Sequence, residues 1–236
     1  MNQICLLLSG AALLLNGLAA LDLLPRRDAA VFSLVTGSTQ LLLAVAYLGT
    51  AGGGDGTAGG GGTAILLGAA GMFLFGLTYA YVGLDFLLGL GSRGLGWFCG
   101  MVAECGLLLA AAWSVEDPLL AVLWLCWTYL WLLFFLQLAL GIERLTPLIG
   151  WSLILTSQAS ATVPALLGIT GRWPDGPEAP ATAAAAVGAA AALAALLLLA
   201  GYLAWRGRQT AARAAVVPSV ACPDVSASAL PGELKR

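Results

Sequence analysis

The most informative segment of the chain is LWLCWTYLWLLFF, residues 123–135. Its tryptophans Trp124, Trp127 and Trp131 recur at helical spacing. At ~100° per residue they fall within roughly 60° of one another on a helix. Tryptophan in a membrane helix usually lies at the segment ends, where the indole reaches the lipid headgroups. A stripe through the middle of an apolar segment therefore predicts either a helix-packing surface or the lining of a pore.

The composition is that of an integral membrane protein. Apolar residues make up 60% of the chain and charged residues 9%, and the mean hydropathy is +0.94, which leaves too little polar surface for a water-exposed globule. The net charge of -2 gives no reason to expect a nucleic-acid partner. Four cysteines lie inside apolar runs and Cys222 lies in a polar tail, so we expect no disulfide and no metal site.

Seven apolar runs are long enough to cross the hydrocarbon of a bilayer. Each is expected to be helical, because unpaired backbone groups are costly in lipid. We expect the first run to be a transmembrane helix rather than a signal peptide, since no basic residue precedes it and it continues past any small-residue cleavage site. We therefore predict an all-α, polytopic membrane bundle with a six-helix core and a seventh transmembrane helix. The runs are Ile4 to Leu24, Ala29 to Thr50, Thr63 to Val82, Leu95 to Ala112, Leu119 to Leu140, Leu145 to Ile169 and Ala181 to Trp205.

The basic residues give the chain an orientation. Nine of the ten fall on one side of this topology, and only Arg172 falls on the other. Because cytoplasmic loops are enriched in Lys and Arg, the N-terminus is expected outside and the C-terminal tail in the cytoplasm. The protein itself is expected in the inner (cytoplasmic) cell membrane. The nine are Arg26, Arg27, Arg93, Arg144, Arg206, Arg208, Arg213, Lys235 and Arg236.

Polar residues inside the spans were weighed as functional candidates, because they are costly in a bilayer. Glu104 is the carboxylate near the middle of a span. It either lines a water-filled path, where it could accept a proton, or faces the bundle interior as a hydrogen-bonding acid. Asn16, Gln40, Gln137 and Gln158 are expected to form interhelical hydrogen bonds. The chain contains no histidine, so it offers no Ser-His-Asp triad and no histidine metal cluster, and we expect neither an enzyme nor a cofactor.

Low-complexity segments suggest three parts of the chain. Residues 1–171 are expected to form the six-helix domain, residues 172–206 an outer loop and the added alanine-rich helix, and residues 207–236 a disordered cytoplasmic tail. The glycine-dense stretch Gly52 to Gly62 lacks the Gly-Lys-Ser/Thr ending of a phosphate loop, so we interpret it as a flexible connector. Gly96 and Gly100 form a GxxxG motif that indicates close helix packing.

The order of several motifs resembles the AmiS/UreI family of amide transporters and urea channels. The resemblance covers the chain from its start to Gly171, and it implies a six-helix protein that forms hexameric rings, with one narrow pore for urea or short aliphatic amides in each protomer. The N-terminus of family members is outside, as the charges suggest here. The motifs are Asn16-Gly17, FLFGLTY from Phe73 to Tyr79, GLGWFC from Gly94 to Cys99, LWLCWTYLW, and Thr146-Pro147 with Pro164.

The resemblance also implies which residues line the pore. In the urea channels of the family, side chains from helices one, three and five form two constrictions in each pore. Phe75 and Tyr79 match the aromatic residues of helix three. Helix five supplies Trp124 and Trp127 to one constriction and Leu130 and Trp131 to the other, with Leu6 and Leu13 from helix one.

Departures from the urea-channel pattern limit the transfer. Leu120 stands where the urea channels have a tryptophan, and Asn2 where they have a leucine. We therefore expect a pore that is wider or differently polar, and the pattern does not decide between urea and an amide as the solute. Helix six carries Thr156 and Gln158 where the urea channels carry a glutamate. Acid gating through histidine is excluded, because the chain has none.

These residue types suggest a passive channel for small, planar, neutral solutes. Urea and short amides can slide between flat rings, whereas an ion would lose its hydration in such a slot without compensation. Three alternatives stay open: the aromatics are packing residues only, the protein is a membrane scaffold or sensor subunit, or it is a proton-coupled transporter that uses Glu104. The expected partners are a neutral solute, the lipid bilayer and further copies of the chain, with no nucleic acid.

Overall fold

The computed structural model of the protein describes residues 2–51, 61–174 and 180–216, and all regular structure within them is helical. Two short π-helical segments and one 3₁₀ turn interrupt or join the α-helices. The helices are α1 (Asn2–Ala20), α2 (Arg26–Ala51), α3 (Gly61–Leu88), α4 (Arg93–Trp113), α5 (Pro118–Phe134), α6 (Thr146–Ser157), α7 (Val163–Ile169) and α8 (Pro180–Val216). The π segments are Phe135–Ala139 and Gln158–Thr162, and the 3₁₀ turn is Glu143–Leu145.

Seven helical segments in these ranges are long and apolar enough to cross a membrane, which confirms the predicted seven spans. The fifth span joins α5 to its π segment, the sixth runs from the 3₁₀ turn through α7, and α8 supplies the seventh. The protein is therefore a multi-pass membrane protein. The spans are Asn2–Ala20, Arg26–Gly49, Gly62–Leu88, Arg93–Trp113, Pro118–Ala139, Glu143–Ile169 and Thr182–Thr210.

Two helices are longer than the sequence suggested. The third continues past the expected end at Val82 to Leu88, and α8 continues to Val216. Residues 207–216 are thus helical, which differs from the predicted disordered tail. The rest of that tail, residues 217–236, and most of the predicted glycine connector, residues 52–60, lie outside the described residues.

The core consists of antiparallel neighbours that pack closely through small residues. Helix α2 lies along α3, α4 along α5 and its π segment, and α1 along α6. At the first of these contacts, a β-carbon at Gly37 would overlap the backbone nitrogen of Ala80. Lipid tails provide no hydrophobic drive for helices to associate, so close van der Waals contact through small residues carries this packing.

The GxxxG motif of α4 packs against the π segment that ends the fifth span. A β-carbon at Gly96 would overlap the backbone nitrogen of Ala139, and one at Gly100 would lie 2.8 Å from the ring of Phe135. The predicted packing role of this motif is confirmed.

Side-chain amides connect α1 to α2, as predicted. Asn16 donates to the hydroxyl of Ser33 at 2.8 Å. Gln40 donates to the carbonyl of Cys5 at 2.8 Å and to the hydroxyl of Ser9 at 2.9 Å. These bonds satisfy polar groups that lipid cannot.

The other two predicted amides have different outcomes. Gln137 donates to the hydroxyl of Thr146 at 2.6 Å, which links the fifth and sixth spans. Gln158 is exposed, and its bond within the protomer, at 3.3 Å, goes to the adjacent Ser157. The prediction of an interhelical bond within the protomer is therefore wrong for Gln158, because the first residue of the π segment points its side chain outward.

The added helix α8 packs against α5 and α6. At one end of the bundle Arg208 donates to the carbonyl of Arg144, at 3.4 Å, so basic residues from two different spans meet there. This arrangement agrees with the grouping of basic residues on one side of the sequence topology.

The α2–α3 contact should be intolerant of bulk. We expect Gly37→Leu to lower the free energy of unfolding of the detergent-solubilised protein by about 1–3 kcal/mol, because overpacking a tight contact forces the backbones apart. Gly49→Leu is the matched control on the same helix, since a β-carbon there meets nothing within 4 Å. The fraction that stays monodisperse after heating measures both. Equal behaviour of the two variants would contradict the close approach.

Candidate functional site

The centre of the bundle is an aromatic cluster built around Phe75 of α3. Its ring centroid lies 4.7 Å from that of Trp131, 5.0 Å from Trp127 and 5.9 Å from Trp124. Tyr79, one turn further along α3, lies 6.2 Å away. All five side chains are buried. One ring of α3 therefore contacts all three tryptophans of α5.

The three indoles share one face of α5, as their spacing indicated. Trp124 and Trp127 meet edge to face at 5.2 Å, and Trp124 and Trp131 lie nearly parallel at 6.2 Å with 23° between their planes. Such edge and offset contacts are the favoured arrangements of aromatic rings.

A cavity of about 430 Å³ opens beside this cluster. Helices α1, α3 and α5 form its walls, and the segment after α7 lies at its mouth. We call it the mouth cavity. Its lining combines polar side chains near the helix ends with rings at its base. The residues are Asn2, Gln3, Cys5, Leu6, Ser9, Tyr47, Ala64, Leu67, Gly68, Gly71, Met72, Phe75, Trp113, Asp117, Leu120, Trp124, Trp127, Gly168, Gly171 and Trp173.

A second cavity of about 30 Å³ lies deeper in the protomer, and we call it the inner cavity. It is large enough to hold a water molecule. Phe75 and Trp127 line both cavities, so these two rings separate them. The inner cavity is lined by Leu13, Phe75, Thr78, Tyr79, Trp127, Leu130 and Trp131.

The structure brings all eight sequence-predicted pore residues to these two cavities. Leu6 and Trp124 line the mouth cavity alone, and Phe75 and Trp127 line both. The remaining predicted residues, Leu13, Tyr79, Leu130 and Trp131, line the inner cavity. The two residues that depart from the urea-channel pattern, Asn2 and Leu120, both lie in the mouth cavity.

Hydrogen bonds to the protein occupy the indole N–H of Trp127 and the hydroxyl of Tyr79. The indole N–H of Trp127 donates to the hydroxyl of Ser160 at 3.2 Å. The hydroxyl of Tyr79 donates to the carbonyl of Ser9 at 3.3 Å. Thr78 donates to its own helix, at the carbonyl of Leu74. Where Phe75 and Trp127 separate the two cavities, these side chains therefore present ring faces and alkyl groups rather than free donors.

Ser9 places a hydroxyl on the wall of the mouth cavity. Its oxygen accepts a bond from Gln40 at 2.9 Å, and its backbone carbonyl accepts from Tyr79 at 3.3 Å. Ser9 was missed in the sequence because a lone serine in an apolar helix carries no distinguishing signal.

The mouth is fixed by a carboxylate that the sequence reasoning also missed. Asp117 accepts from the backbone N–H of Leu120 at 2.9 Å and so caps α5, with Pro118 at the first helical position. Its second oxygen accepts from the indole N–H of Trp173 at 3.0 Å. The Asp-Pro pair before an apolar run is a helix-start signal, so the cap could have been predicted. The bond to Trp173 could not.

Glu104 lies outside both cavities. Its side chain is exposed on the outer surface of the protomer, whereas Cys99 and Val102 form the buried face of α4. At ~100° per residue Glu104 points roughly 140° away from Cys99. Both predicted roles, on a water-filled path or inside the bundle, are wrong for the single protomer. Among the described residues no three His, Cys, Asp or Glu side chains form a group that could hold a metal.

Comparison with known proteins gives one consistent family. The model of the AmiS/UreI family of transporters matches residues 1–172, and the match ends before α8 begins. Two curated relatives are similar over most of their length. A protein of Rhodococcus erythropolis, named as transporter AmiS2, is 42% identical over 77% of this chain and 85% of its own length. A protein of Mycolicibacterium smegmatis, named as a transporter of amidate substrates, is 33% identical over 75% of this chain and 80% of its own.

Solved structures share the fold. The crystal structure of the Helicobacter pylori urea channel aligns with a TM-score of 0.63 at 24% identity, over 73% of this chain and 99% of that one. A cryo-electron microscopy structure of the same channel in its closed state aligns with a TM-score of 0.63 at 26% identity, over 73% of this chain and all of that one.

The mouth geometry makes a stability prediction. We expect Asp117→Ala to cost about 1–2 kcal/mol, because it removes the cap of α5 and the acceptor for Trp173. Asp117→Asn should cost less than Asp117→Ala, since its one amide oxygen can keep the cap on the Leu120 N–H but leaves an NH2 group in place of the acceptor for the indole. Thermal unfolding in detergent measures both. Equal losses in the two variants would contradict the assigned hydrogen bonds.

Proposed function

The chain belongs to the AmiS/UreI family of transporters, which carry amides or urea and are not enzymes, and on this premise we propose that it is a passive channel for short aliphatic amides and urea. The proposed route runs from the mouth cavity, between the rings of Phe75 and Trp127, into the inner cavity. The observation that carries the proposal is that these two rings line both cavities.

The residue chemistry supports a route for planar solutes. Phe75 and Trp127 meet edge to face at 5.0 Å, so a flat molecule can exchange one ring contact for another as it passes. Solute N–H groups can point at ring faces in weak hydrogen bonds that replace part of the lost hydration. Ser9 adds a hydroxyl to the wall of the mouth cavity, which the solute meets before it reaches the rings.

The same chemistry works against ions. Stripping water from a charge costs far more than aromatic and aliphatic walls return. The nearest polar atoms of Trp127 and Tyr79 are already bonded to Ser160 and Ser9, so they offer an ion no replacement for its hydration shell. Selection in this proposal depends on shape and neutrality.

Amides are the favoured solute class. The relatives of Rhodococcus and Mycolicibacterium are named as a transporter and as a transporter of amidate substrates, whereas the urea channel is a more distant structural neighbour. Leu120 lines the mouth cavity where the urea channels carry a larger tryptophan, which leaves more room for the alkyl group of an amide. A cytoplasmic amidase would consume the solute.

The alternatives are less well supported. A proton-coupled transporter using Glu104 needs that carboxylate on the route, and it lies on the outer surface. A packing role alone does not explain why the rings border two cavities rather than a filled core. A scaffold that binds a partner helix through the aromatic stripe would need the indoles at the surface, and all three are buried.

Location and assembly stay predictions. We propose that the mouth cavity opens to the outside of the cell membrane, with the N-terminus outside and the end of α8 in the cytoplasm, as the basic residues suggest. The assembly of the protomers as a hexamer is likewise expected from the resemblance.

Proteoliposomes test the route directly. We expect acetamide permeability well above that of empty vesicles, measured by stopped-flow light scattering. Trp127→Ala should reduce the preference for acetamide over the bulkier N,N-dimethylacetamide severalfold, because the separating ring is gone. Trp127→Phe keeps a ring but loses the bond to Ser160, and it should retain most of the preference.

The matched control is Trp205→Ala on α8, where the tryptophan is half exposed and lines neither cavity. It should leave both permeabilities unchanged. If the wild-type protein conducts no faster than empty vesicles, the channel proposal fails. If Trp127→Ala assembles normally and keeps the wild-type preference, the rings do not select the solute.

A further inference from the structure

Glu104 has an environment that a single protomer does not explain. It lies near the middle of the span Arg93–Trp113, its side chain is exposed, and among the described residues it makes no hydrogen bond or ion pair. Ionisable side chains at this depth are costly in lipid and normally face protein or a water-filled cavity. The carboxyl group therefore calls for a covering surface outside its own protomer.

Glu104 belongs to a continuous exposed stripe on α4. Trp97, Met101 and Leu108 are 58%, 48% and 67% exposed. With Glu104 they follow spacings of four, three and four residues, which keeps them within roughly 60° on the helix. The carboxyl group is the third member of an otherwise apolar face, and we call this set the α4 stripe.

Helix α2 carries a matching stripe. Val31, Val35 and Leu42 are 53%, 60% and 73% exposed, and Ser38 is the exposed third member at the same spacings of four, three and four residues. We call this set the α2 stripe. The Ser38 hydroxyl is a hydrogen-bond donor at the position in the α2 stripe where the α4 stripe has the Glu104 carboxyl group, an acceptor.

The two polar residues lie at the same depth. Helices α2 and α4 run in the same direction, because each follows an antiparallel neighbour through a short turn. Ser38 is twelve residues after Arg26 and Glu104 is eleven after Arg93, the first residues of their helices. At 1.5 Å per residue both are about 17 Å from the same end of the bundle. Rotation about the membrane normal preserves depth, so copies related in this way bring the two residues level.

We propose that the α4 stripe of one copy packs against the α2 stripe of the next, with the Ser38 hydroxyl donating to the Glu104 carboxyl group. The contact joins two different faces, so repetition about an axis along the membrane normal forms a ring when the rotation between copies closes. Helix α8 packs against α5 and α6 and leaves Glu104 and Ser38 uncovered. The inference concerns the outer surface and does not rest on which solute passes through the protomer.

Gln158 is the competing partner, because it too is an exposed hydrogen-bonding side chain near the middle of a span. Its exposed neighbours Val163, Leu166 and Ile169 lie only on one side of it along the sixth span. The preceding helix, α6, is largely covered by α1 and α8. The α2 stripe extends on both sides of Ser38 and so matches the α4 stripe over its whole length.

Disulfide trapping tests the contact in native membranes. In a background with the five cysteines replaced, we expect the double variant Glu104→Cys with Ser38→Cys to form a ladder of crosslinked species beyond the dimer under mild oxidation. Each single variant should stay monomeric on the denaturing gel. The matched control pairs Glu104→Cys with Val45→Cys, which is 61% exposed on the same face of α2 but about 10 Å further along the helix, and it should not form the ladder.

Other outcomes would overturn the proposal. A ladder from Glu104→Cys with Gln158→Cys would assign the contact to the sixth span. Dimers from Glu104→Cys alone would indicate α4 packed against α4 of a second copy. No intermolecular crosslink in the proposed pair, from protein that remains oligomeric in mild detergent, would remove this contact altogether.

The carboxyl group itself is tested by its replacements. We expect Glu104→Leu to shift the dissociation equilibrium of the detergent-solubilised oligomer roughly threefold to tenfold per contact, the range of an interhelical hydrogen bond in a membrane. Glu104→Gln keeps an oxygen acceptor and should stay close to wild type. An oligomer of Glu104→Leu as stable as wild type would show that no hydrogen bond is made there.

Discussion

The contact between Phe75 and the three indoles of α5 joins two of the three helices that line the proposed route. Through it α3 meets α5 at the centre of the bundle, with ring centroids 4.7–5.9 Å apart. Phe75 and Trp127 also line both the mouth cavity and the inner cavity. The same contact therefore stabilises the protomer and defines the route proposed through it.

The lipid environment explains why the proposed route would favour neutral solutes. Polar groups in a bilayer must find partners within the protein, and the indole of Trp127 and the hydroxyl of Tyr79 do so at Ser160 and Ser9. Once these groups are bonded, the rings offer faces and edges but no strong ligand for an ion. The same requirement applies to Glu104, which has no hydrogen-bond partner among the described residues of its own protomer, and the proposed partner is Ser38 of the next copy.

Periodicity and length were sufficient to predict the seven spans and the common face of Trp124, Trp127 and Trp131, because both are local properties of a helix in lipid. The rotation of α4 about its own axis was not predictable, since it depends on the contact of Gly96 with the π segment of another span. The prediction for the Glu104 side chain was wrong for that reason. The bond from Trp173 to Asp117 joins residues 56 positions apart, and no sequence pattern specifies such a pair. The resemblance to the AmiS/UreI family, rather than spacing alone, brought Leu6, Leu13, Phe75 and Tyr79 into the predicted site.

The central claim is that the slot between Phe75 and Trp127 selects by shape and neutrality, and the pair urea and guanidinium tests it most directly. Both are planar and nearly the same size, but guanidinium carries a charge. Fluxes of the two labelled solutes into the same proteoliposomes, corrected for empty vesicles, give one ratio. Selection for neutral solutes predicts measurable urea flux with guanidinium flux at the level of empty vesicles. Guanidinium flux comparable to that of urea would contradict it.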